Sequence, residues 1–426
     1  MFADLVLNPT AGGEAFVSPI ASASWPSLRE MTSGAIARLE SVKGQRVAVV
    51  CAPVAETFAV LAALDAHGAQ AVLLDDEIGT EGAVAASLQE MAVARPAAGS
   101  IEITTPREAG PTVQQGSIVI LTSGTTGEPK SIERTWASLA ADVRLAANSH
   151  GMRWASAYRL RLFASLQVLL HAWVGEGVFI TGASGSAADV ATFWRDARPE
   201  SAGGTPSFWR WLVLGTDPAL LAAIPLRQIT LGGEPVDQAL LDRLRQLYPR
   251  ARLTHIYATT ETGRCIAVSD GKAGFPAALI GAPSEVDIAI DAGELLIRRG
   301  EQDPWTHTGD LVRIDGDRVY FDGRADDVLN IGGQKVAPVQ VETVIRRMPG
   351  VADVRVYGRR SSLSGQIVAC EIVPAPGTDP DVLRAAVDVF ARSNLTPAQQ
   401  PRLVEIVAAL DMSPAGKAVR QGTTLQ

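Results

Sequence analysis

Cysteine is scarce in this chain of 426 residues: Cys51, Cys265 and Cys370 are the only three, far apart and in no C-x-x-C pair. That count offers no disulfide framework and no thiolate zinc site, and it suits a reducing cytosol. Positive charge is also in deficit. Lysine and arginine number 38 against 46 acidic residues, a formal net charge of −8, which disfavours nucleic acid or an anionic membrane as a general partner. No stretch approaches the ~18 uninterrupted apolar residues of a membrane span. The opening M-F-A-D-L-V-L lacks a basic segment leading into a long apolar core, so no signal peptide is expected. Internal repeats and low-complexity tracts are missing as well. The expected location is the cytoplasm. What remains is 47% hydrophobic and 20% charged, the balance of a globular protein, at a length that suits a large domain plus a smaller one.

Short apolar runs alternate with amphipathic stretches through the first three-quarters. R-V-A-V-V-C-A (46–52), A-V-L-L-D (71–75), S-I-V-I-L (117–121), V-F-I-T-G (178–182) and Q-I-T-L-G-G (228–233) read as buried strands. Helical patterns at 55–67, 82–94, 186–197 and 236–247 separate several of them. Buried strands alternating with helices predict an α/β fold with largely parallel sheets. After about residue 285 the strands shorten and alternate, as in D-I-A-I, E-L-L-I-R and L-V-R-I-D-G-D-R-V-Y-F, with a hairpin turn at Asp315-Gly316. The last hundred residues read helix (338–348), strand (352–357), strand (366–373), helix (380–393), strand (402–408), a small α+β unit. The expected division is a large domain of layered α/β sheets with a β-rich subdomain, residues 1–323, and a small mobile lid, residues 324–426.

The densest chemistry lies in I-L-T-S-G-T-T-G-E-P-K-S-I-E-R-T, residues 120–135. A loop that wraps a polyphosphate needs inward-pointing backbone N–H groups, which glycine permits, together with hydroxyl donors and a cation. Thr122, Ser123, Gly124, Thr125, Thr126, Gly127 and Lys130, following a strand, supply all three. The pattern is not G-x-x-x-x-G-K-[ST], because proline stands at 129 where that motif needs glycine.

This segment resembles the phosphate-binding loop of the adenylate-forming enzymes: acyl-CoA synthetases, acyl-carrier-protein ligases, stand-alone adenylation enzymes and firefly luciferase. Five further segments resemble the family's other motifs, in the same order. They are Q-I-T-L-G-G-E-P (228–235), H-I-Y-A-T-T-E-T-G (255–263), T-H-T-G-D-L (306–311), G-R-A-D-D-V-L-N-I-G-G-Q-K-V-A-P-V-Q-V-E (323–342) and S-P-A-G-K-A-V-R (413–420). The resemblance implies ATP-dependent activation of a small carboxylic acid as an acyl-adenylate. A thiol then takes the acyl group, that of coenzyme A or of the phosphopantetheine arm on a separate acyl carrier protein. An amine acceptor, or oxidation as in luciferase, stays open as an alternative.

By the same resemblance, residues 122–130 hold the β- and γ-phosphates, and Gly233, Glu234, Tyr257 and Ala258 belong to the nucleotide site, with Tyr257 stacking on adenine. Thr260 touches the α-phosphate and Glu261 helps hold Mg²⁺, a hard cation that prefers oxygen ligands. Asp310 accepts from the ribose hydroxyls, with Arg324 beside it. Lys417 bridges the attacking carboxylate and the nucleotide. Asp326 is the hinge, and Gly332 and Gly333 belong to the thiol-acceptor region. His171 is read either as a neighbour of the acyl pocket or as a satisfied core histidine, and Trp209 and Trp211 as core.

Two departures from the pattern are small-for-small: Ser131 and Ala258 stand where the family commonly has glycine. The leading segment before Arg46 reads as shorter than the family's, which leaves pocket depth and the choice between monomer and homodimer open. The acid is not legible, though Ala258 and Thr259 leave room for an aryl or medium-length acyl group.

Overall fold

A computed structural model describes residues 1–75, 91–105, 113, 116–122, 130–146, 149–361 and 365–411 of the protein. The chain divides into two compact units. One comprises Met1–Thr205, Gly215–Gly232 and Leu247–Arg264; the other comprises Pro206–Leu214, Gly233–Gln246 and the described residues from Cys265 onward.

In the first unit the apolar runs become the parallel centres of two sheets. One sheet orders its strands Ser100–Thr104, Ala92–Ala97, Arg46–Val50, Gln70–Leu74, Ser117–Thr122, Lys130–Arg134. Its four inner strands are parallel and both edge strands antiparallel. The second sheet runs parallel through Arg252–Thr259, Gln228–Gly232, Ser201–Gly204, Arg153–Ser156, Val178–Ile180 and Glu14–Val17. The helix Ala55–Ala66 is buried from Ala55 to Leu64, so it is apolar on nearly every face, as an interior helix should be. The stretch expected as a helix at 82–94 mostly lies outside the described residues. Its end does not hold: Ala92–Ala97 is a strand, paired in parallel with Arg46–Val50.

The first residues of the chain are anchored rather than loose. Phe2 is fully buried and stacks on Trp136 at 3.8 Å between ring centroids, with Trp173 at 5.6 Å. The α-amino group meets the Asp65 carboxylate at 3.1 Å, and the Trp173 indole N–H donates to the carbonyl of Ala15 at 2.9 Å. A buried indole needs such an acceptor.

The second unit holds an antiparallel five-stranded sheet, Phe275–Pro276, Arg318–Arg324, Thr306–Asp315, Glu294–Arg298, Asp287–Asp291. The expected hairpin is there: Asp315 pairs with Arg318, and Gly316 takes φ 61°, the left-handed conformation that glycine adopts cheaply. The described C-terminal part has the anticipated α+β order, with Pro338–Ile345 and Pro380–Asn394 as helices and Val351–Ser361, Gly365–Pro374 and Leu403–Ile406 as one sheet. Val341, Ile345, Val354, Val356, Val368, Ile372 and Val387 form its apolar centre.

A closed ring of charges lies in the same unit. Arg210 meets Asp237 at 2.8 Å and Asp353 at 3.1 Å; Arg346 meets Asp353 at 3.1 Å and Asp237 at 3.7 Å. Burial alone would raise the carboxyl of Asp237, but the two guanidiniums outweigh it and hold Asp237 below the usual carboxylate range. Among the described residues no helix is long and apolar enough to cross a membrane.

Candidate functional site

In parallel α/β sheets, ligands collect beyond the carboxyl ends of the strands. The motifs of the first unit sit there. Thr122 ends the strand Ser117–Thr122 and pairs in antiparallel register with Lys130, which opens the return strand. The Thr122 hydroxyl donates to the carbonyl of Lys130 at 3.4 Å, so the two ends of the glycine-hydroxyl loop are held side by side. Lys130 is exposed. Ser123, Gly124, Thr125, Thr126 and Gly127 lie outside the described residues.

The strand Arg252–Thr259 carries the half-buried Tyr257 and Ala258 and then turns sharply. Thr259 organises the turn: its hydroxyl oxygen accepts from the N–H of Thr262 at 3.0 Å and lies 2.7 Å from the Thr262 hydroxyl. Gly263 closes the turn with φ 75°. Thr260 is half-buried and Glu261 is exposed at the tip. Thr122, Lys130, Tyr257, Thr260 and Glu261 therefore share one unit, with the last three on a single strand-and-turn segment.

Arg134 is the residue that sequence reasoning missed here. Its guanidinium donates to the backbone carbonyl of Thr260 at 2.8 Å, across 126 positions in sequence. Strand alternation gave the one available signal, because Lys130, Ile132 and Arg134 share a face of the return strand.

His171 is partly exposed on the helix Phe163–Val174, with both ring nitrogens engaged. Its Nδ1 lies 2.7 Å from the carbonyl oxygen of Gln167, and its Nε2 accepts from the N–H of Arg144 at 3.4 Å. Burial lowers its pKa below the ordinary histidine range, helped by the charges of Arg264 and Arg144. The unfolded chain therefore binds a proton here that the folded chain rejects. His171 should favour folding fully above its unfolded pKa of about 6.5, and progressively less as pH falls toward the lowered folded value. We expect His171→Gln to flatten the part of the stability loss that the wild-type protein shows between neutral pH and about pH 5, as read from urea midpoints. An unchanged difference between the two pH values would contradict this. Trp209 is fully buried and Trp211 partly so, both on the helix Pro206–Leu214.

In the second unit, Gly233 is exposed with φ 90°. The Glu234 carboxylate accepts from the N–H of Ser207 at 3.0 Å, serving one of the unpaired donors at the start of the helix Pro206–Leu214. Asp310 and Arg324 face each other across two antiparallel strands, with the guanidinium 3.3 Å from the carboxylate. The Asp310 N–H donates to the Thr308 hydroxyl at 3.1 Å, and that hydroxyl donates to the carbonyl of Leu295 at 2.7 Å. Gly309 takes φ 71°, the left-handed conformation that glycine adopts cheaply. Asp326 is exposed within the single 3₁₀ turn Ala325–Asp327. Gly332 and Gly333, at φ 57° and 87°, make the tip of the hairpin Leu329–Ile331/Gln334–Val336, where the Asn330 side-chain oxygen accepts from the N–H of Gly333 at 3.0 Å. Lys417 lies outside the described residues.

The strand ends of the first unit carry Thr122, Lys130 and the Tyr257–Gly263 segment, and the second unit carries the Asp310–Arg324 strand pair. The match is to the AMP-binding enzyme family over residues 79–302 and to the AMP-binding enzyme C-terminal domain over residues 340–417. The first spans more than half of the chain, and the chain belongs to this family, within the adenylate-forming superfamily. Similar curated proteins include oxalate–CoA ligase of Arabidopsis thaliana, 25% identical over 72% of this chain and 66% of that one. A fatty acid–[acyl-carrier-protein] ligase of Streptomyces coeruleorubidus is 26% identical over 71% and 66%. The chain thus spans just under two-thirds of the length of these relatives. Similar solved structures include anthranilate CoA ligase in complex with anthranoyl-AMP, with a TM-score of 0.78, 17% identity and coverage of 98% and 95%. The amide bond synthetase of Marinactinospora thermotolerans gives a TM-score of 0.70, 20% identity and coverage of 98% and 97%. At these identities the structural likeness is one of fold.

Proposed function

We propose that the protein is an AMP-forming acid–thiol ligase. A carboxylate oxygen attacks the α-phosphorus of ATP, the bond to the β-phosphate breaks, and pyrophosphate leaves. A thiolate then attacks the acyl carbon of the adenylate and AMP departs with the bonding pair. The thiol belongs to coenzyme A or to a phosphopantetheinyl carrier protein. The observation that carries this reading is the gathering of the loop ends and the Tyr257–Gly263 segment at the carboxyl ends of parallel strands, in a chain of the AMP-binding enzyme family.

Negative charge accumulates around phosphorus in the first step, so catalysis rests on positioning and electrostatics. In this proposal the 122–130 loop cradles the β- and γ-phosphates, Tyr257 stacks on adenine beside Ala258, and Thr260 donates to an α-phosphate oxygen. Gly233 and Glu234 border the nucleotide. Glu261, an exposed oxygen donor at the tip of its turn, fits a hard cation such as Mg²⁺, which when bound would neutralise charge on the triphosphate. Asp310 binds the ribose hydroxyls with Arg324 alongside, Lys417 bridges carboxylate and nucleotide, and Gly332-Gly333 borders the incoming thiol. The working division is 1–323 as adenylation domain and 324–426 as lid.

Truncating Asp310 would leave the ribose hydroxyls without their acceptor, a cost of ~1.5–3 kcal/mol for hydrogen bonds to a charged group. Asp310→Ala should therefore weaken ATP use about 10- to 150-fold, read as kcat/KM for ATP. Unchanged ATP kinetics would mean that the Asp310–Arg324 pair only braces the two strands. The acceptor is tested by mass spectrometry of products from a panel of aryl and medium-length acids, offered with coenzyme A, a phosphopantetheinylated carrier protein or an amine. A thioester is the expected product; an amide with no thioester would overturn the thiol reading.

A further inference from the structure

Arg134 stands four residues beyond the loop lysine, at the end of the strand Lys130–Arg134, and every direction of its guanidinium is engaged. The Nε donates to the Ser138 hydroxyl at 3.0 Å and Nη2 to the Ser138 carbonyl at 3.1 Å. Ser138 is itself fixed by a reciprocal capping box with Thr135 at the start of the helix Trp136–Ala140. The other end of the fork reaches the motif turn: Nη1 donates to the Thr260 carbonyl at 2.8 Å, with the Glu261 carbonyl at 3.5 Å. The guanidinium carbon lies over the Phe163 ring, 5.7 Å from its centroid. Asp142, a buried carboxylate, is 3.9 Å from Nη2 and accepts from the N–H of Arg264 at 3.4 Å. The turn that presents Thr260 and Glu261 is thus held at Thr260 by Arg134 and just beyond its end, at Arg264, by Asp142, while Arg134 itself extends from the strand Lys130–Arg134.

We propose that Arg134 is a positioning residue for adenylation, tying the strand Lys130–Arg134, which begins at the loop lysine, to the Thr260–Glu261 turn so that Lys130 and the turn meet the triphosphate in fixed register; this rests on the adenylation reading above. Carbonyl acceptors aimed at one guanidinium fork define the height and tilt of the turn as a flexible ammonium cannot. Displacing reacting groups by about 1 Å costs on the order of 10²-fold in rate. The residue touches neither the acid nor the nucleotide in this scheme; it acts through the Thr260 and Glu261 backbone.

The test compares the wild-type chain, Arg134→Lys and Arg134→Ala. Arg134→Lys keeps the charge and loses the fork. For both variants kcat for acid-dependent pyrophosphate release should fall ~10- to 10²-fold, with the KM for ATP changed much less, because triphosphate and ribose contacts remain. Millimolar guanidinium should recover part of the loss in Arg134→Ala but none of that in Asp310→Ala. Hydrogen exchange should quicken in a peptide covering 257–264 more than elsewhere. Unaltered exchange there, or faster exchange with wild-type kcat, would overturn the proposal. A loss that follows melting temperature alone and resists guanidinium would also overturn it. No release by the wild-type chain with any acid would remove the adenylation reading and this role together; normal wild-type release with unaffected variants would remove this role alone.

Discussion

Lys417→Ala should lower acid-dependent pyrophosphate release by ~10²–10³-fold, the scale of losing a central electrostatic contact in a transition state that gathers negative charge. In the proposed scheme its ammonium neutralises charge shared between the attacking carboxylate and the α-phosphate, and nothing else in the first half-reaction supplies that contact. Lys417 is the last residue of the C-terminal domain match. The second half-reaction needs no such bridge, because the acyl-adenylate is already made and a thiolate attacks carbon rather than phosphorus. Thioester formation from a supplied acyl-adenylate should therefore be largely spared. Measuring both half-reactions on one preparation decides the matter, and equal loss in the two would remove Lys417 from this role.

Asp326→Pro should give the reverse pattern: pyrophosphate exchange persists while thioester formation falls by ~10²-fold or more, as when a conformational step is blocked. Ala325–Asp327 is one 3₁₀ turn flanked by extended backbone, with Arg324 at φ −94°, ψ 147° and Val328 at φ −67°, ψ 121°. A short stretch of this kind can absorb a large φ/ψ change between rigid bodies. Proline at 326 fixes its own φ near −65° and pushes Ala325 out of the helical region toward extended conformations. The side chain it replaces is exposed, so the substitution removes no buried contact. Full thioester synthesis by a folded Asp326→Pro protein would rule out the hinge, and a joint decline of both half-reactions with melting temperature would make residue 326 a purely structural turn position.

Strands built from continuous β-branched and leucine runs were legible because their side chains are buried on both faces, as in R-V-A-V-V and Q-A-V-L-L. The strand Ser201–Gly204 was not. S-A-G-G has no β signature, yet all four residues are buried, and a Cβ on Gly203 would meet Val168 at 3.1 Å. Close packing by neighbours selects the sequence there, and neighbours are invisible in a linear reading. The helical period anticipated through residue 94 failed at A-V-A-R-P-A because pairing with Arg46–Val50 overrode local preference. The same distinction runs through the site. Asp310 and Arg324 were legible as motif residues, although their pairing across strands came only with the register. Glu234 was expected at the nucleotide, and its contact with the first turn of Pro206–Leu214 was not foreseen. Arg134 left little trace because the acceptor that joins it to the turn is a backbone carbonyl 126 positions away, which carries no residue identity.

The central claim is that this chain makes an acyl-adenylate. Its most direct test is exchange of labelled pyrophosphate into ATP by the purified wild-type protein, across a panel of aryl and medium-length acids with no thiol present. The account predicts exchange that requires both magnesium and a particular acid, and that disappears when the acid is left out. Exchange indifferent to the acid, or none with any acid while ATP still binds, would contradict it.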